Sequence, residues 1–420
     1  MTKAVLSLTL VVSLFVLSCA SEPVAEPAGE PTLPGISAEG AAEIDAFLGS
    51  AVATGQVPKA VAMVANREGV VYAGAFGKKD VANDIDVQLN SIFNMASMTK
   101  PITSVATMML FEEGAFALDD PVSTYLPDMA DRDVVTSIDE SAGTFETEPA
   151  ASDITIRQLL THASGLAYAF SNPTMQRLID VSGVDDTLRL PLVSHPGTMW
   201  NYSASTAVLG RLVAEVSGMP LDAFLKARIF DPLGMDDTSY SVPAEKTGRV
   251  VTIHSLVDGE LVEAPTPDAV ESAVRGDGGL HSTAPNYIRF LRMLLNKGVF
   301  EGRRLLSAAS VDAMIANQIG SISVDTQRTT NPARSSDFPI GAGADTFGLG
   351  FQITASNAAN PDLRAAGSYS WGGIFNTHFW GDPERDIVAV ILMQQLPFYS
   401  DDAMAVYQGF ETEVNRNLAR

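Results

Sequence analysis

Apolar runs typical of β-strands lie near both ends of the 420-residue chain, whereas the middle, about residues 120–285, mixes helical patterns with long polar loops. Near the start, residues 60–66 and 70–76 flank a short charged turn, which is typical of a hairpin. Near the end, residues 376–381 and 387–394 flank a second polar turn. This order favours one domain whose sheet is assembled from the two ends of the chain, with the middle inserted between them.

Helical spacing of apolar residues predicts helices over 38–52, 97–113 and 401–418, and an apolar run predicts one more strand over 347–355. We therefore expect an α/β fold, with an antiparallel sheet flanked by helices and an inserted all-α part. The whole domain would take residues 36–420. Its α/β part would cover about 36–120 and 285–420, and its helical part about 121–284.

Residues 1–19 have the features of an export signal rather than of a folded element. Lys3 is followed by a mostly apolar run that is too short to cross a bilayer comfortably. Apolar and small residues then precede Cys19, the only cysteine of the chain, and this pattern resembles the lipobox of bacterial lipoproteins, in which the cysteine is lipidated. The alternative is ordinary secretion with cleavage after Ala20. Either interpretation places the mature protein outside the cytoplasm.

The segment from residue 20 to residue 35 is rich in Pro, Ala and Glu and predicts a flexible tether. An exported lipoprotein of this design would be held on a bacterial membrane, facing the periplasm. We expect membrane contact only through this N-terminal anchor.

The acidic balance limits the partners of the chain. It has 27 basic and 50 acidic residues and a formal charge of −23 at pH 7. Because no surplus of cations is available to neutralise phosphates, we expect no binding to nucleic acid and no electrostatic docking to anionic lipid. Net charge does not identify a reaction.

Several common catalytic motifs are absent from the sequence. It contains no G-x-S-x-G, H-E-x-x-H, P-loop or clustered Cys and His residues, and its five histidines are scattered. The sequence therefore implies no metal and no organic cofactor.

Ser97 and Lys100 form an S-x-x-K motif within the helix predicted over 97–113. Residues three apart share one face of a helix, so the lysine amine can lie beside the serine oxygen. A lysine in that position can take the serine proton. The spacing alone is weak evidence, because an abundance of serine produces it by chance.

The surroundings of the motif carry more information. The segment FNMASMTKP at 93–101 resembles the nucleophile segment of the serine β-lactamase and penicillin-binding-protein superfamily. Further segments resemble the class C β-lactamase branch in the same order along the chain. They are LDDPV at 118–122, YLP at 125–127, ITIRQLLTHASGL at 154–166, PGT at 196–198, Tyr202-Ser203, PLGM at 232–235, GGL at 278–280 with Ser282-Thr283, and WGG at 371–373. In detail the chain is most similar to the family VIII carboxylesterases, which keep that fold and hydrolyse esters.

This resemblance implies a role for each site residue. Ser97 would be the nucleophile, Lys100 its proton partner and Tyr202 the second base. The backbone N–H groups of Ser97 and Ile374 would form the oxyanion hole. The alternative for Tyr202 is an ordinary half-buried aromatic residue with a satisfied hydroxyl.

Two departures from the class C pattern concern the substrate. Trp371-Gly372-Gly373 stands where those enzymes have Lys-Thr-Gly, so an apolar ring replaces the cation that faces the carboxylate of a β-lactam. Ala204 stands where their Y-x-N element has asparagine. Both changes favour a small neutral ester as substrate over a β-lactam, although Trp371 could also be plain core. Gly372 and Gly373 would let the substrate approach the strand closely.

The residues leave three alternatives open: a β-lactamase, a D-Ala-D-Ala-type peptidase acting on an amide, and a penicillin-binding receptor that is acylated without turnover. Arg275, Arg334 and Arg364 are candidate cations for a substrate, and the sequence does not choose among them.

Overall fold

The computed structural model describes Met1 and residues 35–265 and 270–419. The expected signal peptide, Cys19 and all but the last residue of the expected tether lie outside the described residues. The short strand Gly35–Ile36 pairs antiparallel with Leu418–Ala419. Among the described residues, no helix has the length and apolarity needed to cross a membrane.

An eight-stranded antiparallel sheet forms the centre of the fold. In chain order its strands are β1 Lys59–Ala65, β2 Val70–Asp80, β3 Ile85–Asp86, β4 Thr346–Phe347, β5 Gln352–Ile353, β6 Tyr369–Gly373, β7 Thr377–Asp382 and β8 Ile387–Leu392. Their spatial order is β4-β5-β6-β7-β8-β1-β2-β3. The two ends of the chain meet where β8 pairs with β1, with Val388 opposite Ala65 and Leu392 opposite Val61. The prediction of one antiparallel sheet built from both ends is thereby confirmed.

The strand predicted over 347–355 needs correction, because it is two short strands, β4 and β5, joined by a turn. Gly350 has a φ of +104°, a conformation that glycine adopts readily, and Gly348 N–H donates to the Phe351 carbonyl at 2.8 Å. The apolar residues of the run continue through this turn, so the pattern did not reveal the break.

The helices cover both faces of the sheet. They are α1 Ala38–Ala53, α2 Thr99–Glu112, α3 Ile156–Leu160, α4 Pro173–Ser182, α5 Ser205–Ser217, α6 Leu221–Leu225, α7 Asp231–Leu233, α8 Ala284–Leu295, α9 Ala308–Met314 and α10 Asp401–Asn417. On one face α1 and α10 bury Leu48, Val406 and Phe410 in a core shared with Trp380 of β7. A second and larger core contains the apolar side chains of α2, α5 and α8. Nearly the whole of α2 is buried there, which gives its first turn a fixed position.

The middle of the chain is mostly helical, but the expected all-α insertion needs correction. Strands Asp133–Asp139 and Thr144–Pro149 form an exposed hairpin, and His254–Val257 pairs with Glu260–Glu263 in a second one. The first hairpin packs only a few side chains, including Ile138 and Phe145, against α4. Because most of its residues are polar and exposed, their sequence has the composition of a loop.

The remaining short strands pair as Phe93–Asn94 with His281–Ser282, Ser241–Val242 with Val270–Glu271, Val299–Phe300 with Arg303–Arg304, and Gln395–Leu396 with His254–Ser255.

Candidate active site

The Ser97 side chain is held in a tight turn at the entrance to α2. Residues Ala96–Met98 form a single 3-10 turn, and α2 begins only at Thr99, two residues after the start predicted from the sequence. Ala96 has a φ of +44°, a left-handed conformation that costs an alanine about 1 kcal/mol. Its N–H donates to Asn94 Oδ1 at 3.0 Å, which stabilises the turn. The local backbone therefore fixes Ser97 at the expense of some strain.

Two side chains converge on the Ser97 hydroxyl. Lys100 Nζ donates to Ser97 Oγ at 3.2 Å, one helical turn along as the S-x-x-K spacing predicts, and Tyr202 OH donates to the same oxygen at 2.7 Å. The ammonium nitrogen of Lys100 also lies 4.8 Å from the centre of the Tyr202 ring. Since Tyr202 precedes α5, the packing of α5 against α2 in one core brings the tyrosine to the serine. The structure thus brings together the three side chains singled out from the sequence.

The end of strand β6 lies against the Ser97 turn. A Cβ atom on Gly373 would be only 2.4 Å from the Met95 carbonyl oxygen, and one on Gly372 would be 2.7 Å from His378 Nδ1. Both glycines are therefore required by close packing. Within the part of the chain that the structure describes, the N–H groups of Ser97 and Ile374 donate to no protein acceptor.

Trp371 is 8% exposed and forms an apolar wall beside Tyr202, with ring centres 5.1 Å apart. Phe347 and Trp200 pack edge-on against the same indole. The Trp371 indole N–H is buried and has no partner among the described residues. Trp371 belongs both to the core and to the boundary of the site.

His162 completes this aromatic group as a neutral residue. Burial, together with the Lys100 charge, lowers the pKa of His162 to about 3, and its Nδ1 lies 3.2 Å from Ser203 Oγ. The motif segments 118–122 and 154–166, the second of which contains His162, are joined by backbone hydrogen bonds. Arg157 N–H donates to the Leu118 carbonyl at 2.7 Å, and Val122 N–H donates to the Ile154 carbonyl at 2.9 Å. These segments build the frame of the site rather than reach Ser97.

A groove of about 940 Å³ opens beside the site. Tyr168, Phe170 and Leu221 supply apolar surface, and Ala204 lies where an asparagine would have narrowed it. Arg275 also lines the groove, whereas Arg364 is buried elsewhere, where its Nε donates to Glu411 Oε1 at 2.8 Å. Arg334 lies exposed on a loop that pairs with Phe398. Of the three candidate cations, only Arg275 lies near the site.

Two other residues lie at the site that were not predicted from the sequence, Tyr168 and Asp277. The Tyr168 hydroxyl donates to the Asp277 carboxylate, and its ring centre is 5.2 Å from Lys100 Nζ. Asp277 lies between Gly276 and Gly278. An acidic residue within a glycine-rich segment was the sequence feature that could have marked it as a candidate site residue. In the described ranges no group of three or more His, Cys, Asp or Glu residues could hold a metal ion.

With this geometry established, comparison with known proteins identifies the family. The sequence profile of the family described as Beta-lactamase matches residues 44–413, most of the chain. The chain belongs to the Beta-lactamase family. The resemblance to the serine β-lactamase and penicillin-binding-protein superfamily is confirmed, and with it the β-lactamase/transpeptidase-like fold.

Named relatives of this Beta-lactamase family member extend over nearly its whole length. Protein Rv1367c of Mycobacterium tuberculosis is 35% identical over 372 residues, which are 84% of this chain and 90% of that protein. Lovastatin esterase of Penicillium rubens is 28% identical over 401 residues, 90% of this chain and 98% of the relative. The LovD6 mutant of simvastatin synthase from Aspergillus terreus superposes with a TM-score of 0.79 at 25% identity, over 90% of this chain and 95% of that structure. The chain is thus a serine hydrolase of the Beta-lactamase family.

Proposed function

We propose that this protein hydrolyses neutral carboxylic esters through an acyl-enzyme on Ser97. The observation that carries the proposal is the convergence of Lys100 Nζ and Tyr202 OH on Ser97 Oγ, at 3.2 and 2.7 Å. A serine hydroxyl is a weak nucleophile until a neighbouring base takes its proton, and this oxygen has two candidate proton acceptors. The relative named lovastatin esterase supports ester chemistry for the family member described here.

The reaction takes place in two steps. Ser97 Oγ attacks the ester carbonyl carbon while its proton passes to the Lys100–Tyr202 pair. The carbon–oxygen bond to the alcohol then breaks, and the pair returns the proton to the departing oxygen. In the second step a water gives its proton to the same pair and attacks the acyl carbon. The bond from that carbon to Ser97 Oγ then breaks, the pair returns the proton to Ser97 Oγ, and the acid is released.

The oxyanion of each tetrahedral intermediate would be held by the N–H groups of Ser97 and Ile374. Their freedom from other acceptors and the close approach of Gly373 to the Met95 carbonyl support this assignment. Donors fixed in advance stabilise developing negative charge without reorganisation during the reaction.

Trp371 supports a neutral substrate. An indole ring in place of a lysine removes the charge that would attract a carboxylate and leaves an apolar wall. The groove beside Ala204 has room for an apolar acyl or alcohol group.

A substrate panel tests the proposed function. Wild-type protein is expected to hydrolyse p-nitrophenyl butyrate with a kcat/KM about a hundredfold above that for nitrocefin, and to leave a D-Ala-D-Ala peptide intact. Trp371→Lys should lower kcat/KM for the ester by about tenfold or more, because it places an unpaired ammonium in a buried apolar wall. Trp371→Phe is the matched control that keeps an aromatic ring, and it should retain most of the ester activity.

Three other outcomes would contradict the proposed function. Faster turnover of nitrocefin or of the peptide than of any ester would assign the protein to one of those activities. Labelling of Ser97 by a fluorophosphonate without steady-state turnover of any ester would favour a non-turnover receptor.

We also propose that the protein is exported and anchored by lipid on Cys19. The support is the apolar run before Cys19 and the Pro- and Glu-rich segment after it. Expressed in bacteria with labelled palmitate, the wild type should carry the label and enter the detergent phase of Triton X-114, and Cys19→Ala should do neither. An unlabelled wild type in the aqueous phase would instead support secretion with cleavage after Ala20.

A further inference from the structure

Asp277 is a buried carboxylate beside the proposed proton-transfer pair, and the mechanism above gives it no role. Its side chain is 4% exposed. Arg275 donates to it twice, from Nε to Oδ1 at 2.9 Å and from an Nη atom to Oδ2 at 2.8 Å, and the Tyr168 hydroxyl donates to Oδ2. Both carboxylate oxygens are thus occupied, so the carboxylate has one fixed orientation.

The backbone of the same residue holds Lys100 directly. Lys100 Nζ donates to the Asp277 carbonyl at 2.7 Å, and Thr103 Oγ1 donates to the Gly276 carbonyl at 2.7 Å. A Cβ atom on Gly276 would be 2.2 Å from the Thr206 carbonyl oxygen. The loop of Asp277 is therefore clamped between α2 and α5, and any shift of it would move the partner of Lys100.

The charges around Asp277 keep its carboxyl group ionised near the Lys100 charge. Burial alone would raise the pKa of the Asp277 carboxyl, but the Lys100 charge and the hydrogen bonds from Arg275 and Tyr168 outweigh burial and lower it. Of the other titratable groups around it, burial raises the pKa of Tyr168 and Tyr240, and burial lowers that of His162 to about 3. These three are neutral near pH 7, Tyr202 belongs to the pair itself, and Arg275 is the remaining fixed charge.

We propose that Asp277 is a positioning residue: its backbone carbonyl holds the Lys100 amine beside Ser97, and its carboxylate, balanced by Arg275, favours the charged form of that amine. The inference rests on the proposed function and deepens it. A negative charge favours the protonated form of a neighbouring amine, and a positive charge disfavours it. Asp277 thus favours the protonated form of Lys100, and Arg275 disfavours it.

Three substitutions at two positions separate this role from a purely structural one. Asp277→Asn keeps an acceptor for Tyr168 but removes the charge, so the acid limb of the pH profile of kcat/KM for p-nitrophenyl butyrate should move to lower pH, by about half to one unit. Arg275→Gln leaves the carboxylate uncompensated, so the same limb should move to higher pH. Arg275→Lys keeps the charge and should bring the limb back towards its wild-type position.

The design remains informative if Asp277→Asn fails to fold. The Arg275 side chain is 56% exposed, so its variants are expected to fold and to give the opposite shift on their own. Asp237→Asn is the matched control, because Asp237 is likewise paired with an arginine, Arg249, at 2.9 Å, and touches neither Ser97 nor Lys100. It should leave the profile unchanged.

The rate at which a fluorophosphonate labels Ser97, measured against pH, separates the two proposals. Suppose that wild-type Ser97 is labelled and the protein turns over the ester, but the acid limb of the pH profile stays in place in folded variants or moves the same way in Asp277→Asn and Arg275→Gln. The role of Asp277 is then overturned and the proposed function stands. If wild-type Ser97 is neither labelled nor acylated by any ester, the proposed function fails, and the Asp277 role fails with it.

Discussion

Replacing Ser97 by alanine is expected to lower kcat/KM for p-nitrophenyl butyrate by about 10⁴-fold or more. Lys100 Nζ and Tyr202 OH both reach this hydroxyl, and its loss removes the atom to which the acyl group would be attached. Any residual rate would come from substrate binding and from the N–H groups of the oxyanion hole. Initial rates with purified protein check the prediction.

Ser368→Ala is the matched control for this substitution. The Ser368 hydroxyl is fully buried and has no partner among the described residues, so its removal breaks no hydrogen bond. The control should keep near-wild-type activity, and both variants should unfold at nearly the wild-type temperature. A Ser97→Ala protein that folds and still hydrolyses the ester at the wild-type rate would contradict the proposed nucleophile.

Replacing Lys100 by methionine is expected to lower kcat for the same ester by about 10²- to 10⁴-fold, the usual range for losing a positioned proton-transfer group. Methionine fills a similar volume but can neither accept the serine proton nor donate to the Asp277 carbonyl. Because substrate contacts are left in place, KM should change much less than kcat. Steady-state kinetics over a range of ester concentrations separate the two constants.

The chain offers a second buried lysine as the control for this experiment. Lys59 is fully buried, its Nζ donates to the Thr252 carbonyl at 2.8 Å, and burial lowers its pKa to about 7. Lys59→Met should change stability while leaving kcat within about threefold, since Lys59 does not contact Ser97. Equal losses of kcat in the Lys59 and Lys100 variants would show that lysine burial, rather than the position beside Ser97, matters.

The sequence predicted the centre of the sheet well because two of its strands, β1 and β8, are buried along their whole length and are mostly apolar. The apolar runs over 60–66 and 387–394 became these two adjacent strands. The exposed hairpin that includes Asp133–Asp139 was missed for the opposite reason. Its stability comes from backbone pairing and a few contacts with α4, which leave little trace in the apolar pattern.

Two kinds of sequence feature predicted the site residues: the spacing of neighbouring residues and the order of motifs along the chain. The S-x-x-K spacing correctly predicted that Lys100 would lie beside Ser97, because i and i+3 adjoin on a helical turn. Tyr202 followed from its place in the series of motifs. Asp277 and Tyr168 did not, since their contact joins residues 109 apart in sequence, and only the tertiary packing brings them together.

The central claim, an acyl-enzyme on Ser97, is tested most directly by peptide mass spectrometry after a rapid acid quench of the wild-type protein with p-nitrophenyl butyrate. We predict a butyryl group on the peptide that contains Ser97, formed within the first turnover and absent from Ser97→Ala. A butyryl group on another residue, or full ester turnover with no acylated peptide at any quench time, would contradict this claim.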